Sequence, residues 1–214
     1  FHSSERISRY LLTFICTVQY VNSLCLRGNF FQRVWPSPLT VNLVKPGNYS
    51  EPNGTVLQTV SPEEAKQIVT LHNTRRNRLA SGNLPGFPPA ADMLQLEYDG
   101  EVARLAQAHS QSCVFQHGCN GCGNMGRSLG QNLYLAPQGS WTNAVNAWWD
   151  EYRHTSSSIV NRYYFSASNG HFTQIAWAKT AKVGCGATNC PRLGGRYMVC
   201  NYSPAGNVIG QPIY

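Results

Sequence analysis

Apolar positions recur at helical spacing between about residue 61 and residue 152. Ser61-Pro62-Glu63-Glu64 offers an N-cap serine, proline at the first helical position and glutamate at the third, a capping box. Ile68, Leu71, His72, Arg75 and Leu79 follow at the 3.6-residue period and predict a first helix. A Pro-rich loop separates it, over 84–93, from a second helix predicted from about Gly100 to Cys113, whose stripe is Val102, Leu105, Ala106, His109 and Cys113. A third helix begins near Ser140 and carries Val145, Trp148, Trp149 and Tyr152. Strands are predicted over 171–177, 182–188 and 196–203. Helices first and strands later, with short connections, predict an α+β domain with an antiparallel sheet covered by helices. Residues 24–60 have few periodic signals and read as an N-terminal extension, with the domain over 61–214.

In the stretch Gly170-His171-Phe172-Thr173-Gln174-Ile175-Ala176-Trp177, alternation puts His171, Thr173, Ile175 and Trp177 on one face of the predicted strand. His171 then stands where a core meets a cleft. A structural histidine has the same sequence signature, and the remaining polar residues decide between the two.

Charge narrows the functions. The 214 residues carry a net charge of +7, yet only 13% are charged. The single tight basic cluster is Arg75, Arg76 and Arg78, which reads as a solvated helix face rather than a nucleic-acid stripe. Arg6 and Arg9 precede the short apolar run Tyr10–Val18, with small residues near Ser23, so residues 1–23 read as a signal peptide and not as a transmembrane span. Of the eight cysteines, six lie over 113–200 and read as a disulfide framework of up to three bridges in a secreted, extracellular protein, with Cys25 left over. Cys113, His117, Cys119 and Cys122 have the look of a zinc knuckle, a reading that secretion disfavours. Asn48 and Asn53 open glycosylation acceptors, while Asn201 matches the acceptor pattern inside an apolar strand.

Several ordered motifs carry a resemblance. These are Leu71-His72-Asn73 with Arg76, Gly130-Gln131-Asn132-Leu133, Ala147-Trp148-Trp149-Asp150-Glu151, Gly170–Trp177, and Tyr197-Met198-Val199-Cys200-Asn201-Tyr202-Ser203-Pro204-Ala205-Gly206-Asn207-Val208. Over roughly residues 61–209 the chain resembles the CAP superfamily of cysteine-rich secretory, antigen 5 and pathogenesis-related class 1 proteins. Within it the chain is most similar in type to secreted helminth venom-allergen-like proteins.

The resemblance implies a three-layer α-β-α sandwich with a central antiparallel sheet, stapled by Cys113–Cys190 and Cys185–Cys200, which leaves either Cys119–Cys122 as a short-loop bridge or Cys25 paired with one of those two. It also implies a cleft formed by two histidines and two acids, here His117, His171, Glu151 and the position of Gln131. Glutamine there departs from the family's glutamate, keeping an acceptor but losing the charge and any capacity as a general base. No cofactor is required, although relatives hold a divalent cation such as zinc between the histidines, which here would be His117 and His171. Relatives bind sterol through an aromatic loop, here Tyr152, Tyr163, Tyr164 and Phe165, and fatty acid in a groove flanked by Val145 and Trp149 or by Leu71 and Leu79. The expected function is that of a secreted, non-enzymatic lipid-binding effector. Action on an extracellular protein partner without lipid cargo is the alternative. A hydrolase is disfavoured because no Ser or Cys nucleophile pairs with His171, Thr173 and Ser128 being unremarkable.

Overall fold

A computed structural model describes residues 60–119 and 129–214. The predicted signal peptide, the extension up to residue 59, Asn48, Asn53, Ser128 and the Cys119–Cys122 pairing lie outside those residues. Helix α1 runs Pro62–Ala80, strand β1 Glu97–Tyr98, α2 Gly100–Gln111, β2 Gly130–Ala136, α3 Trp141–Asp150, α4 Gly170–Ala176, β3 Lys182–Cys190 and β4 Gly195–Ser203. The sheet order is β1-β3-β4-β2; the long strands pair antiparallel, and two-residue β1 adds a parallel edge to β3.

The capping box of α1 forms as the sequence reads. Ser61 Oγ accepts from Glu64 N–H, and Glu64 Oε2 accepts from Ser61 N–H, both at 3.1 Å. Asp99 caps α2 and Ser140 caps α3 with their side chains.

The alternation of β3 and β4 sorts the layers. Met198, Cys200 and Tyr202 join the large core with α1, α3 and α4, whereas Tyr197 and Val199 pack with Ala106 of α2 on the other face. The contact between α2 and β3 is made by backbone. A Cβ on Gly184 would collide with Asp99, Val102 and Ala103, and one on Gly186 with Gln107. Glycine is required there for close approach. On the opposite face Cys185 is bonded to Cys200, its register partner; on the α2 face Cys190 is bonded to Cys113 just beyond α2.

Two expectations are corrected. Residues 170–176 are a helix, not a strand. Phe172 through Ala176 are all buried, so no exposed face marks a period, and a short apolar run of this kind is ambiguous between the two periods. The cluster Arg75-Arg76-Arg78 is not one solvated face, because Arg76 is fully buried. Its guanidinium donates to five backbone carbonyls: Leu94 (2.9 Å), Ile175 (2.7 Å), Trp177 (2.8 Å), Ala178 (3.1 Å) and Thr180 (3.2 Å). Burial pulls its pKa down to about 9, which leaves it charged at neutral pH. The sequence reading also passed over β2, which follows directly on the glycine loop.

His72 is also fully buried. Its Nδ1–H donates to Ile68 O (2.8 Å), so its Nε2 accepts from the Tyr202 hydroxyl (2.9 Å). Asn132 Nδ2 donates to the same hydroxyl and to His171 O, each at 3.2 Å. A polar chain thus crosses the core from α1 to the start of α4. Within a core a linked chain of this kind favours one arrangement of its members, although Asn132 Oδ1 is buried without a partner among the described residues.

Candidate functional site

The site forms where β2 begins and β4 ends. Gln131 and Asn201 are register partners on the α2 face, and Asn132 points to the opposite face. Consecutive residues of β2 therefore reach two different layers. Gln131 holds the segment after α2, and Asn132 holds α4 through the His171 carbonyl.

Gln131 pairs reciprocally with the backbone of Gly118: Gly118 N–H donates to Oε1 (3.1 Å) and Nε2 donates to Gly118 O (2.7 Å). These partners fix which end of the amide is oxygen. Nε2 also donates to Asn201 Oδ1 (3.0 Å). His117 Nδ1 lies 3.1 Å from the same Oε1, which can only accept, so Nδ1 carries the proton and Nε2 keeps a bare lone pair.

His171 occupies the first turn of α4. The residue at that helix's N-cap, Asn169, gives it no side-chain cap. Glu151, one residue past α3, does so from a distance. Its Oε2 accepts from the N–H groups of His171 (2.8 Å) and Phe172 (3.1 Å). Its Oε1 lies 2.6 Å from His171 Nδ1. With the proton of the neutral ring on Nδ1, Nε2 is again bare, and the carboxylate fixes the ring's orientation as a second-layer group does behind a metal-binding histidine. Trp148 stacks on the same ring at 6.2 Å and 25°. Its indole N–H donates to Leu133 O (2.8 Å).

Both histidines line a cleft of about 700 Å³, together with Gln131, Asn201, Phe165 and Ile209. Glu151 does not line it; it stands behind His171. Among the described residues, no serine, threonine or carboxylate lines the cleft. Thr173 is buried and shares its one hydroxyl proton between Asn169 O (2.9 Å) and Asn207 Oδ1 (2.7 Å).

The aromatic residues divide. Tyr163 lines the cleft but is 1% exposed, its ring edge-on to Trp177 at 5.7 Å. Phe165 lines the cleft at 65% exposure, Tyr164 is exposed outside it, and half-buried Tyr152 packs on Trp149 and Phe172. Val145, Trp149, Leu79 and the partly buried Leu71 belong to the core packing around α1 and α3. Asn201 is fully buried, which fits its exclusion as a glycosylation acceptor.

The sequence does not assign the structural roles of Arg76, Asn132, Trp148, Asn201 or Tyr202, although each lies within a quoted motif. Polar residues in otherwise apolar strands and helices were the available signal, since a buried polar group must find partners.

The model of the cysteine-rich secretory protein family matches residues 69–202. Venom allergen 5 of Tityus serrulatus is 33% identical over 168 residues, covering 72% of this chain. The chain spans only 40% of that relative's length. The solved structure of BmVAL-1 superposes with a TM-score of 0.61 at 31% identity, over 72% of this chain and 82% of that one. The crystal structure of NaASP2 with Zn2+ gives a TM-score of 0.63 at 30% identity, over 73% and 87%. With its motifs, its layers and its stapled sheet, the chain belongs to the cysteine-rich secretory (CAP) protein family, in its venom-allergen-like branch.

Proposed function

We propose that the protein is a non-catalytic extracellular effector that binds a lipid, sterol or fatty acid, at the mouth of its cleft. The observation that carries this reading is the pair Phe165 and Ile209, 65% and 75% exposed, both lining the cleft. Apolar side chains held open at a cavity gain free energy when a ligand covers them. No serine or threonine is among the described lining residues, and Cys119, which is, is disulfide-bonded; both support a binding role over a hydrolytic one. The disulfides and the secretory family support an extracellular setting. The expected result is saturable binding of a fluorescent sterol or labelled palmitate, weakened about tenfold or more in the double variant Phe165→Ser/Ile209→Ser. No saturable binding, or equal binding by that variant, rules the reading out.

The two bare Nε2 atoms favour a second reading, a divalent cation such as zinc. Among the described residues no group of three or more His, Cys, Asp or Glu side chains is arranged to hold a metal. Two neutral imidazoles fit part of a zinc set, which water would complete. His117 and His171 would hold the ion, Gln131 and Glu151 would keep their rings in the ligating tautomer, and the ion would supply a positive centre for an anionic ligand group. NaASP2, 30% identical, has been crystallised with Zn2+. Calorimetric titration of zinc should give heat that disappears in His117→Ala/His171→Ala; the same heat from that variant excludes the site.

A further inference from the structure

The last acidic residue of the chain is Glu151. Residues 152–214 carry six Lys and Arg and no Asp or Glu. Three of the six pair with acids: Arg153 with Asp150, Lys182 with Asp99 and Arg196 with Glu64. Arg162, Lys179 and Arg192 have no ion pair among the described residues, and exposed Arg162 sits beside the aromatic loop.

That loop is joined to another. Tyr163 N–H donates to Gln211 O and Gly210 N–H donates to Tyr163 O, both at 2.8 Å. The tips on either side of this junction carry Tyr164 at 53% exposure, Phe165 at 65%, Val208 at 40% and Ile209 at 75%. Four large apolar side chains thus stand in solvent on two linked loops, within a stretch of chain that carries no negative charge. Phe165 and Ile209 turn toward the cleft; Tyr164 and Val208 do not line it.

We infer that the paired loops 163–165 and 207–210 are a docking surface for an anionic phospholipid bilayer. The apolar tips enter the boundary between headgroups and acyl chains, and the Arg162 guanidinium meets the lipid phosphates. Interfacial binding of this kind combines buried apolar area with attraction between bases and anionic lipid. Charge complementarity selects the occupant: exposed Arg162 beside the apolar tips has no ion pair among the described residues, while the Glu151 carboxylate is engaged by the N–H groups of His171 and Phe172. The inference does not rest on a ligand within the cleft, because Tyr164 and Val208 lie outside it. It places the cleft mouth at the lipid surface.

The test is co-sedimentation of the full chain with sterol-free vesicles, one set of phosphatidylcholine alone and one with roughly a third phosphatidylserine. Binding is expected to the phosphatidylserine vesicles, to fall at high salt, and to be at least tenfold weaker for phosphatidylcholine alone. Tyr164→Asp/Val208→Asp should lower it at least tenfold, and Arg162→Gln about fivefold. Both variants change exposed positions, and near-ultraviolet circular dichroism checks that they fold. Absence of vesicle binding, equal binding to both compositions, or unchanged binding by Tyr164→Asp/Val208→Asp overturns the inference. Sterol binding in solution, measured on the same samples, separates its failure from that of the lipid-binding cleft: Arg162→Gln should retain it.

Discussion

Replacing Arg76 by methionine is expected to remove about 3–5 kcal/mol of stability, measured as the shift in the urea unfolding transition. Methionine fills similar space, so the loss is chiefly electrostatic. Five carbonyls that now accept from one guanidinium would be left in the core. Buried acceptors without donors cost about 1–3 kcal/mol each before relaxation. Trp177 O and Ala178 O keep backbone donors in the N–H groups of Thr180 and Leu94, so the loss falls on Leu94 O, Ile175 O and Thr180 O. Two of the five, Ile175 O and Trp177 O, lie at the C-terminal end of α4, where free carbonyls and the helix dipole favour a cation. Arg76→Lys should recover part of the loss, since an ammonium supplies charge but not the planar fork. A methionine variant within 1 kcal/mol of the parent would show that these carbonyls find other partners.

The second expected result concerns acid. Burial, with the neighbouring charges of Arg75 and Arg76, lowers the pKa of His72 from 6.5 to about 4. The folded state keeps the ring neutral, while the unfolded chain takes up a proton below about pH 6.5. Unfolding is therefore coupled to proton uptake between those values. This contribution is present in full above pH 6.5 and is lost progressively down to pH 4, amounting to about 3 kcal/mol. His72→Gln carries no such group. The difference in unfolding free energy between parent and variant should thus narrow by that amount from pH 7 to pH 4. A difference that stays constant over this range would mean that His72 is charged in the folded protein or does not titrate there.

The same residues explain what was legible in the sequence. Helices α1, α2 and α3 announce themselves because their caps are local: Ser61, Asp99 and Ser140 each accept from N–H groups within three residues. Helix α4 does not, because both of its ends are held by distant residues, Glu151 at the N-terminus and Arg76 at the C-terminus. No window around 170–177 contains either charge, and five successive buried residues hide the period. Arg76 was misread for a related reason, since its partners lie 18 to 104 positions away. The four residues of the cleft were nameable only through the motif resemblance. That Gln131 and Glu151 each fix the tautomer of one histidine required the distances. Glu151, named as part of the cleft, works from behind its wall.

Among the described residues, Gln131 is one of three side-chain amides that grip a single residue's N–H and C=O together. Asn73 does so at Leu96 and Gln107 at Ala187. Each imitates the edge of a neighbouring strand, so at Gly118 the sheet is in effect one rung longer than its strands. A carboxylate at position 131 accepts only; it would set lone pairs against Gly118 O and Asn201 Oδ1. The rung holding His117 to the sheet is therefore built from groups that neither gain nor lose a proton across the physiological range. In an acidic medium this wall of the cleft keeps its attachment, and any response to acidity must come from the imidazoles themselves.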